Sequence, residues 1–295
     1  SGHEGTAVNR DNFGIDLACL HGPLAARLAA AESAGFAQVM LWARDLTDHP
    51  QGYQAAVDLV RASKLQVSGL QLIRNYEGLS GPAHDYKLEV VKAMLDICAD
   101  IYAPRLVVSA SSSVPHRREP GSVDADLRKL ANLAVPMGVR IGFKADPLGH
   151  AVPDVQKAWD LVCRVDHANL GLVLDSYHFI ADGLPLEVLN DISPEKISLI
   201  QLADFSAPIM QGSGRARADH TRVFPGEGVM HEQLAAFVRH ADWLGYNGAY
   251  SFLVFNDDYR DLPAHVVAPR AARAMAWVNN QALRRRLPLN RLRRA

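Results

Sequence analysis

Cysteine is scarce in this chain, with three in 295 residues, at Cys19, Cys98 and Cys163. They are widely spaced and form neither a CxxC pair nor the Cys/His spacing of a zinc site. A disulfide framework and a zinc finger are thereby excluded, and the thiols read as those of a cytoplasmic protein. Long apolar runs are missing as well. No stretch reaches the roughly 18 residues that a membrane helix requires, and Ser1–Arg10 lacks the charged-then-apolar pattern of a secretory leader. Nor is there an excess of charge of one sign. The chain has 31 basic residues and 32 acidic ones, for a net charge of −1. Without a global field, neither nucleic acid nor a membrane surface is an expected partner, and a small-molecule substrate fits better.

What is present is an alternation of short β-rich runs and longer helical patterns, the mark of βαβ units. The strand candidates are Phe13–Leu20, Ala37–Trp42, Leu65–Ile73, Arg105–Ala110, Val139–Phe143, Leu170–Asp175, Ile197–Asp204 and Ala249–Phe255. Several are continuous apolar runs, as strands buried on both faces should be. Segments of 3.6-residue periodicity lie between and after them: Leu24–Gly35, Gln51–Ser63, Asp85–Ile101, Asp124–Met137, Asp154–His167, Pro185–Ile192, His231–Leu244 and Pro263–Asn279. Gly35, Gly138 and Gly245 stand where helices end and a positive φ is needed. Eight strand–helix pairs close most simply as a single α/β domain, a (β/α)8 TIM barrel over 1–283. A doubly wound open sheet is the rival, but no G-x-G-x-x-G follows the first strand. The tail 284–295 is basic, with six arginines and no interleaved aromatics. It reads as a solvated arm or a homo-oligomer contact rather than a nucleic-acid patch.

In such barrels chemistry gathers at the carboxyl ends of the strands. Those ends carry Arg74-Asn75-Tyr76-Glu77, Lys144-Ala145-Asp146, Asp175-Ser176-Tyr177-His178, Gln201-Leu202-Ala203-Asp204, His220-Thr221-Arg222-Val223-Phe224-Pro225-Gly226-Glu227-Gly228 and Phe255-Asn256-Asp257. In this order they resemble the xylose-isomerase-like TIM barrels, the superfamily of sugar phosphate isomerases and epimerases. The branch they are most similar to is that of the bacterial 3-dehydroshikimate dehydratases, including the barrel half of chains fused to a dioxygenase-like domain. The resemblance runs from about Phe13 to Trp277.

It implies one divalent cation, held by a Glu, an Asp, a Gln or His, and a second Glu from strands five to eight. That ion polarises a carbonyl while a proton leaves the neighbouring carbon. Here the Asp and Gln positions are Asp175 and Gln201, but the Glu positions are Lys144 and Leu253, and a further acid on strand two falls at Met40. Asp175 and Gln201 alone are too few hard ligands for an oxygen-preferring ion, and an ammonium repels it. The expectation is a degenerate metal site without a cofactor, in which Lys144 takes the place of the cation and pairs with Asp175. Mn2+ or Mg2+ with ligands recruited from Asp146, Asp204 or His220 is the other option.

Three roles are open to Lys144: a fixed cation that polarises a carbonyl, a base or Schiff-base nucleophile, or a structural replacement. His178, three residues past Asp175, is placed to move a substrate proton. Arg74 and Arg222 can grip a carboxylate or phosphate, or pair with Glu77, Glu227 or Asp204. His220 and Gln201 complete the expected substrate contacts, Asp204 resembles a carboxylate that orients a neighbour, and the Gly226/Gly228 loop reads as a shaped turn. The function this predicts is a lyase (dehydratase) or isomerase of a small polyhydroxylated carbonyl compound, with Lys144, His178 and Asp175 catalytic. The rival is a non-catalytic binding or regulatory pseudoenzyme that kept the pocket.

Overall fold

The structure is a computed structural model that describes residues 11–112, 121–208 and 220–284. Most of the basic tail lies outside the described residues. Eight parallel strands close into a barrel: β1 (Phe13–Asp16), β2 (Gln38–Trp42), β3 (Gln66–Ile73), β4 (Arg105–Ser109), β5 (Arg140–Lys144), β6 (Leu170–Asp175), β7 (Ile197–Leu202) and β10 (Tyr250–Phe252), with β10 pairing back to β1. The α-helices Leu24–Ser33, Tyr53–Ala62, Gly81–Asp100, Ser122–Ala134, Val155–Val165, His231–Trp243 and Ala264–Trp277 surround it. Burying their apolar stripes against the outer faces of the strands makes one continuous core, at about 1.5–3 kcal/mol for each fully buried Leu, Ile, Val or Phe side chain. Local signals set the helix ends: Asp154 accepts the Lys157 N–H at 2.9 Å to start one helix, and Gly138 at φ 67° terminates another.

Several boundaries differ from expectation, and at the first of them a side chain competes for the backbone. β1 stops at Asp16, whose carboxylate accepts the Ala18 N–H at 2.8 Å and turns the chain into a 3-10 segment. The seventh barrel strand ends at Leu202. Asp204–Phe205 (β8) instead forms a two-stranded antiparallel ribbon with Arg222–Val223 (β9). The helix expected over Pro185–Ile192 is a 3-10 turn at Leu186–Asp191, too short to support an α-helical nucleus. The α-helix of that unit starts earlier, at Ser176, because Asp175 caps it through the Tyr177 N–H.

Side chains of the barrel strands alternate between the outer core and the interior. Met40, Val107, Val173 and Leu199 meet as a separate apolar layer. Gly142 makes room in it, since a Cβ there would stand 2.7 Å from Val173 Cγ2. Two residues further along each strand, the period of two brings Asp16, Trp42, Gln71, Ser109, Lys144, Asp175, Gln201 and Leu253 to the mouth.

Candidate active site

The polar residues of that upper ring form a chain of hydrogen bonds across the mouth. Lys144, the last residue of β5, donates from Nζ to Asp175 Oδ2 at 2.8 Å and to Gln201 Oε1 at 2.6 Å. Gln201 in turn reaches Gln71, its Nε2 lying 3.5 Å from Gln71 Oε1. Gln71 Nε2 donates to Asp16 Oδ2, and Trp42 Nε1 donates to Asp16 Oδ1 at 2.8 Å. Asp175 divides its two oxygens, Oδ1 capping the following helix and Oδ2 facing Lys144, the Arg222 Nη1 at 3.5 Å and the His178 Nε2 at 3.8 Å. Lys144 and His178 are the members that reach solvent, with side chains 14% and 21% exposed, against 4% for Asp175 and 1% for Arg222.

Electrostatics follow from this burial. Desolvation alone would raise the Asp175 carboxyl, but the charges of Lys144, Arg222 and His178 outweigh it and hold the group well below the usual carboxylate range. Among the described residues no cation is paired with Asp16. Burial there pushes the pKa up to about 7, against the opposing hydrogen bonds from Ala18, Trp42 and Gln71. Of the mouth's charges, two fixed cations, Lys144 and Arg222, therefore face one committed carboxylate, so negative charge developing near Lys144 is stabilised.

Arg222 is not placed to grip a substrate, contrary to expectation. Its guanidinium is buried over the Tyr177 ring, with Cζ 4.1 Å from the centroid, and bonds the Leu253 carbonyl at 3.3 Å. Desolvating it is offset by Asp175, so it serves the ion-pair network. Leu253 is buried and offers the network only its carbonyl. At the level of Lys144 and Asp175, strand two presents Trp42; Met40 lies one layer down among apolar neighbours. Arg74 and His220 line a cavity on the other side of Trp42, which none of Lys144, Asp175, His178 or Gln201 lines.

Asp204 accepts the N–H groups of Phe205, Gly226, Gly228 and Met230 at 2.7–3.2 Å and so builds the loop that follows β9. Gly228 is required there, because a Cβ would collide with the Asp204 carboxylate and the Phe205 carbonyl. Asp146 is likewise engaged by its own loop, accepting the Leu148 N–H at 2.9 Å.

The donor set does not fit a divalent cation. Among the described residues no three His, Cys, Asp or Glu side chains converge as ligands, and the Asp175 and Gln201 oxygens both take bonds from an ammonium. Asp16, Gln71 and Trp42 were not singled out from sequence. The signal that could have found them is their place as inward positions at or near the carboxyl ends of β1, β3 and β2.

A family model for xylose isomerase-like TIM barrels matches residues 28–281, and the chain belongs to that family. It is 32% identical over 268 residues to a 3-dehydroshikimate dehydratase of Pseudomonas aeruginosa, covering 90% of this chain and 42% of that protein. It is 28% identical over 191 residues to an inosose isomerase of Bacillus subtilis, covering 61% of this chain and 64% of that one. A solved xylose isomerase-like TIM barrel/4-hydroxyphenylpyruvate dioxygenase fusion protein superposes with a TM-score of 0.85 at 27% identity, over 92% of this chain and 43% of the other. The chain thus spans less than half the length of the dehydratase and of the fusion protein.

Proposed function

We propose that this barrel is a lyase or isomerase of small polyhydroxylated carbonyl compounds that removes a proton next to the carbonyl without a divalent metal. The observation that carries this reading is the Lys144 ammonium held between Asp175 and Gln201 at the solvent-reaching edge of the mouth. The relatives named as a dehydratase and an isomerase support the same class.

The substrate carbonyl oxygen binds against Lys144. As the α-proton leaves, its bonding electrons shift into the carbonyl and the enolate oxygen is stabilised by the ammonium. His178 is the accessible imidazole. At rest its Nε2 lies 3.3 Å from Arg222 Nη2 and accepts from it. Taking up the proton releases that bond, and Asp175 Oδ2 at 3.8 Å stabilises the imidazolium. Returning the proton to the adjacent carbon, while the α-hydroxyl proton passes to the former carbonyl oxygen, completes an isomerisation; giving it instead to a β-hydroxyl, which leaves as water as the carbonyl re-forms, completes a dehydration. A non-catalytic reading is favoured by one fact: both Asp175 oxygens and the His178 Nε2 are engaged at rest.

The test is exchange of the substrate α-hydrogen in D2O, followed by NMR with 3-dehydroshikimate, inosose and hydroxypyruvate in the presence of a chelator. The wild-type chain should exchange at least one of them, and Lys144→Met should slow this by about 100-fold or more, the scale on which removing one stabilising group acts. Dependence on added Mn2+, or an undiminished rate in Lys144→Met, would refute the reading. Binding without exchange would establish the non-catalytic one.

A further inference from the structure

Beside the buried network, on the side of the mouth made by β1, β2 and β10, lies a cavity of about 280 Å3 lined by His21, Trp42, Arg44, Arg74, His220, Phe255, Asp257 and Arg260, among others. One wall is aromatic, Trp42 and Phe255 meeting edge to face with ring centres 6.3 Å apart. The rest is cationic. Three guanidinium groups face a single carboxylate, Asp257, which stands 3.3 Å from Arg260 Nη2 and 3.6 Å from His220 Nδ1. Arg44 lies on the Trp42 ring with its Cζ 4.9 Å from the centroid. Among the described residues neither Arg44 nor Arg74 has an acidic partner within ion-pair distance.

His21 registers the same field: burial, then the charges of Arg260, Arg27 and Arg44, push its proton off despite Asp257. Like charges gathered around a cavity repel one another unless an anion joins them, and a guanidinium is the side chain best shaped to take a carboxylate or phosphate in a bidentate grip. The volume is at the small end of ligand pockets and suits a compound of a few carbons.

We propose that this cavity is an anion subsite, in which a phosphate or carboxylate group sits among Arg44, Arg74 and Arg260 with attached carbons against Trp42 and Phe255. The anion is either a free ion or the charged end of a polyhydroxylated compound. The inference holds whether or not Lys144 performs chemistry, and its test does not involve turnover.

The His21 and His220 imidazole resonances are followed by proton NMR while the protein is titrated with inorganic phosphate and, separately, with ribose 5-phosphate. Saturable shifts of His21 are expected. The double variant Arg44→Gln/Arg260→Gln should weaken binding by about tenfold or more, one lost charge-assisted contact being enough. Ribose 5-phosphate binding about tenfold tighter than phosphate assigns the subsite to the end of a larger ligand, and equal affinities assign it to a free anion. Should the double variant fail to fold, Arg74→Gln, which removes an exposed side chain, serves in its place. No saturable shift with either probe, or unchanged affinity in variants of wild-type melting temperature, overturns the proposal.

Discussion

Asp175 concentrates more of the site's energetics than any other residue. One of its oxygens starts a helix and the other neutralises two cations in a buried setting. Replacing it by Asn keeps the shape and removes the charge, so Lys144 and Arg222 are left facing each other without compensation. Breaking a buried pair by removing one partner costs about 3–5 kcal/mol. Asp175→Asn should therefore lower the urea midpoint by a corresponding amount. A loss below about 1 kcal/mol, the scale of an exposed pair, would show that water reaches the network. Arg222 makes the same point from the opposite side: a residue type suited to gripping substrate is here turned inward, because its nearest carboxylate is buried behind it.

The loop that follows β9 is decided by one short contact at the scale of elements. Asp204 gathers four backbone N–H groups, and Gly228 lets the chain pass close enough for two of them. Gly228→Ala forces the Asp204 carboxylate or the Phe205 carbonyl to move, at a cost of about 1–3 kcal/mol, as in other overpacked sites. The expected result is a lower melting temperature together with faster amide exchange at Gly226, Gly228 and Met230. Unchanged exchange at these three amides would mean that the carboxylate does not organise the loop. The strand ends obey the same rule. Asp16 and Asp175 each end a strand by accepting a backbone N–H two residues on, so the turn and the site residue are one and the same side chain.

At the scale of the whole molecule, two of the buried carboxyls among the described residues, Asp16 and Glu77, are pushed up to about 7 by burial. In the unfolded chain they titrate near their ordinary values of 3.8 and 4.5. Between those values and about 7 the native state binds more protons than the unfolded state. Their contribution to stability is thus complete below pH 4 and is lost as pH rises through 7, at up to about 1.4 kcal/mol per pH unit for each group. Asp175 has the opposite sign, its contribution being present above its unfolded pKa and lost only as pH falls below about 4. Urea midpoints measured from pH 5 to pH 8 should therefore fall less steeply for Asp16→Asn/Glu77→Gln than for the wild-type chain, and parallel profiles would contradict the assignment.

The alternation of β-rich runs with helical patterns pointed to the barrel, because the two periods leave apolar surface that helices packed on a parallel sheet bury, and the missing G-x-G-x-x-G set the open doubly wound sheet aside. The alternation also determined which residues stand at strand ends, and the resemblance to the family then grouped Lys144, Asp175 and Gln201 as one site. Family pattern alone put the strand-two position at Met40, whereas the structure places Trp42 at that level. Sequence could not decide which way Arg222 turns, that Gln71 and Gln201 meet across 130 residues of chain, or that Arg44 and Arg260 share a cavity with Arg74. Periodicity specifies a face and a level along a strand. Hydrogen bonds and ion pairs depend on separations of a few ångströms between distant segments, and those are fixed only when the barrel closes.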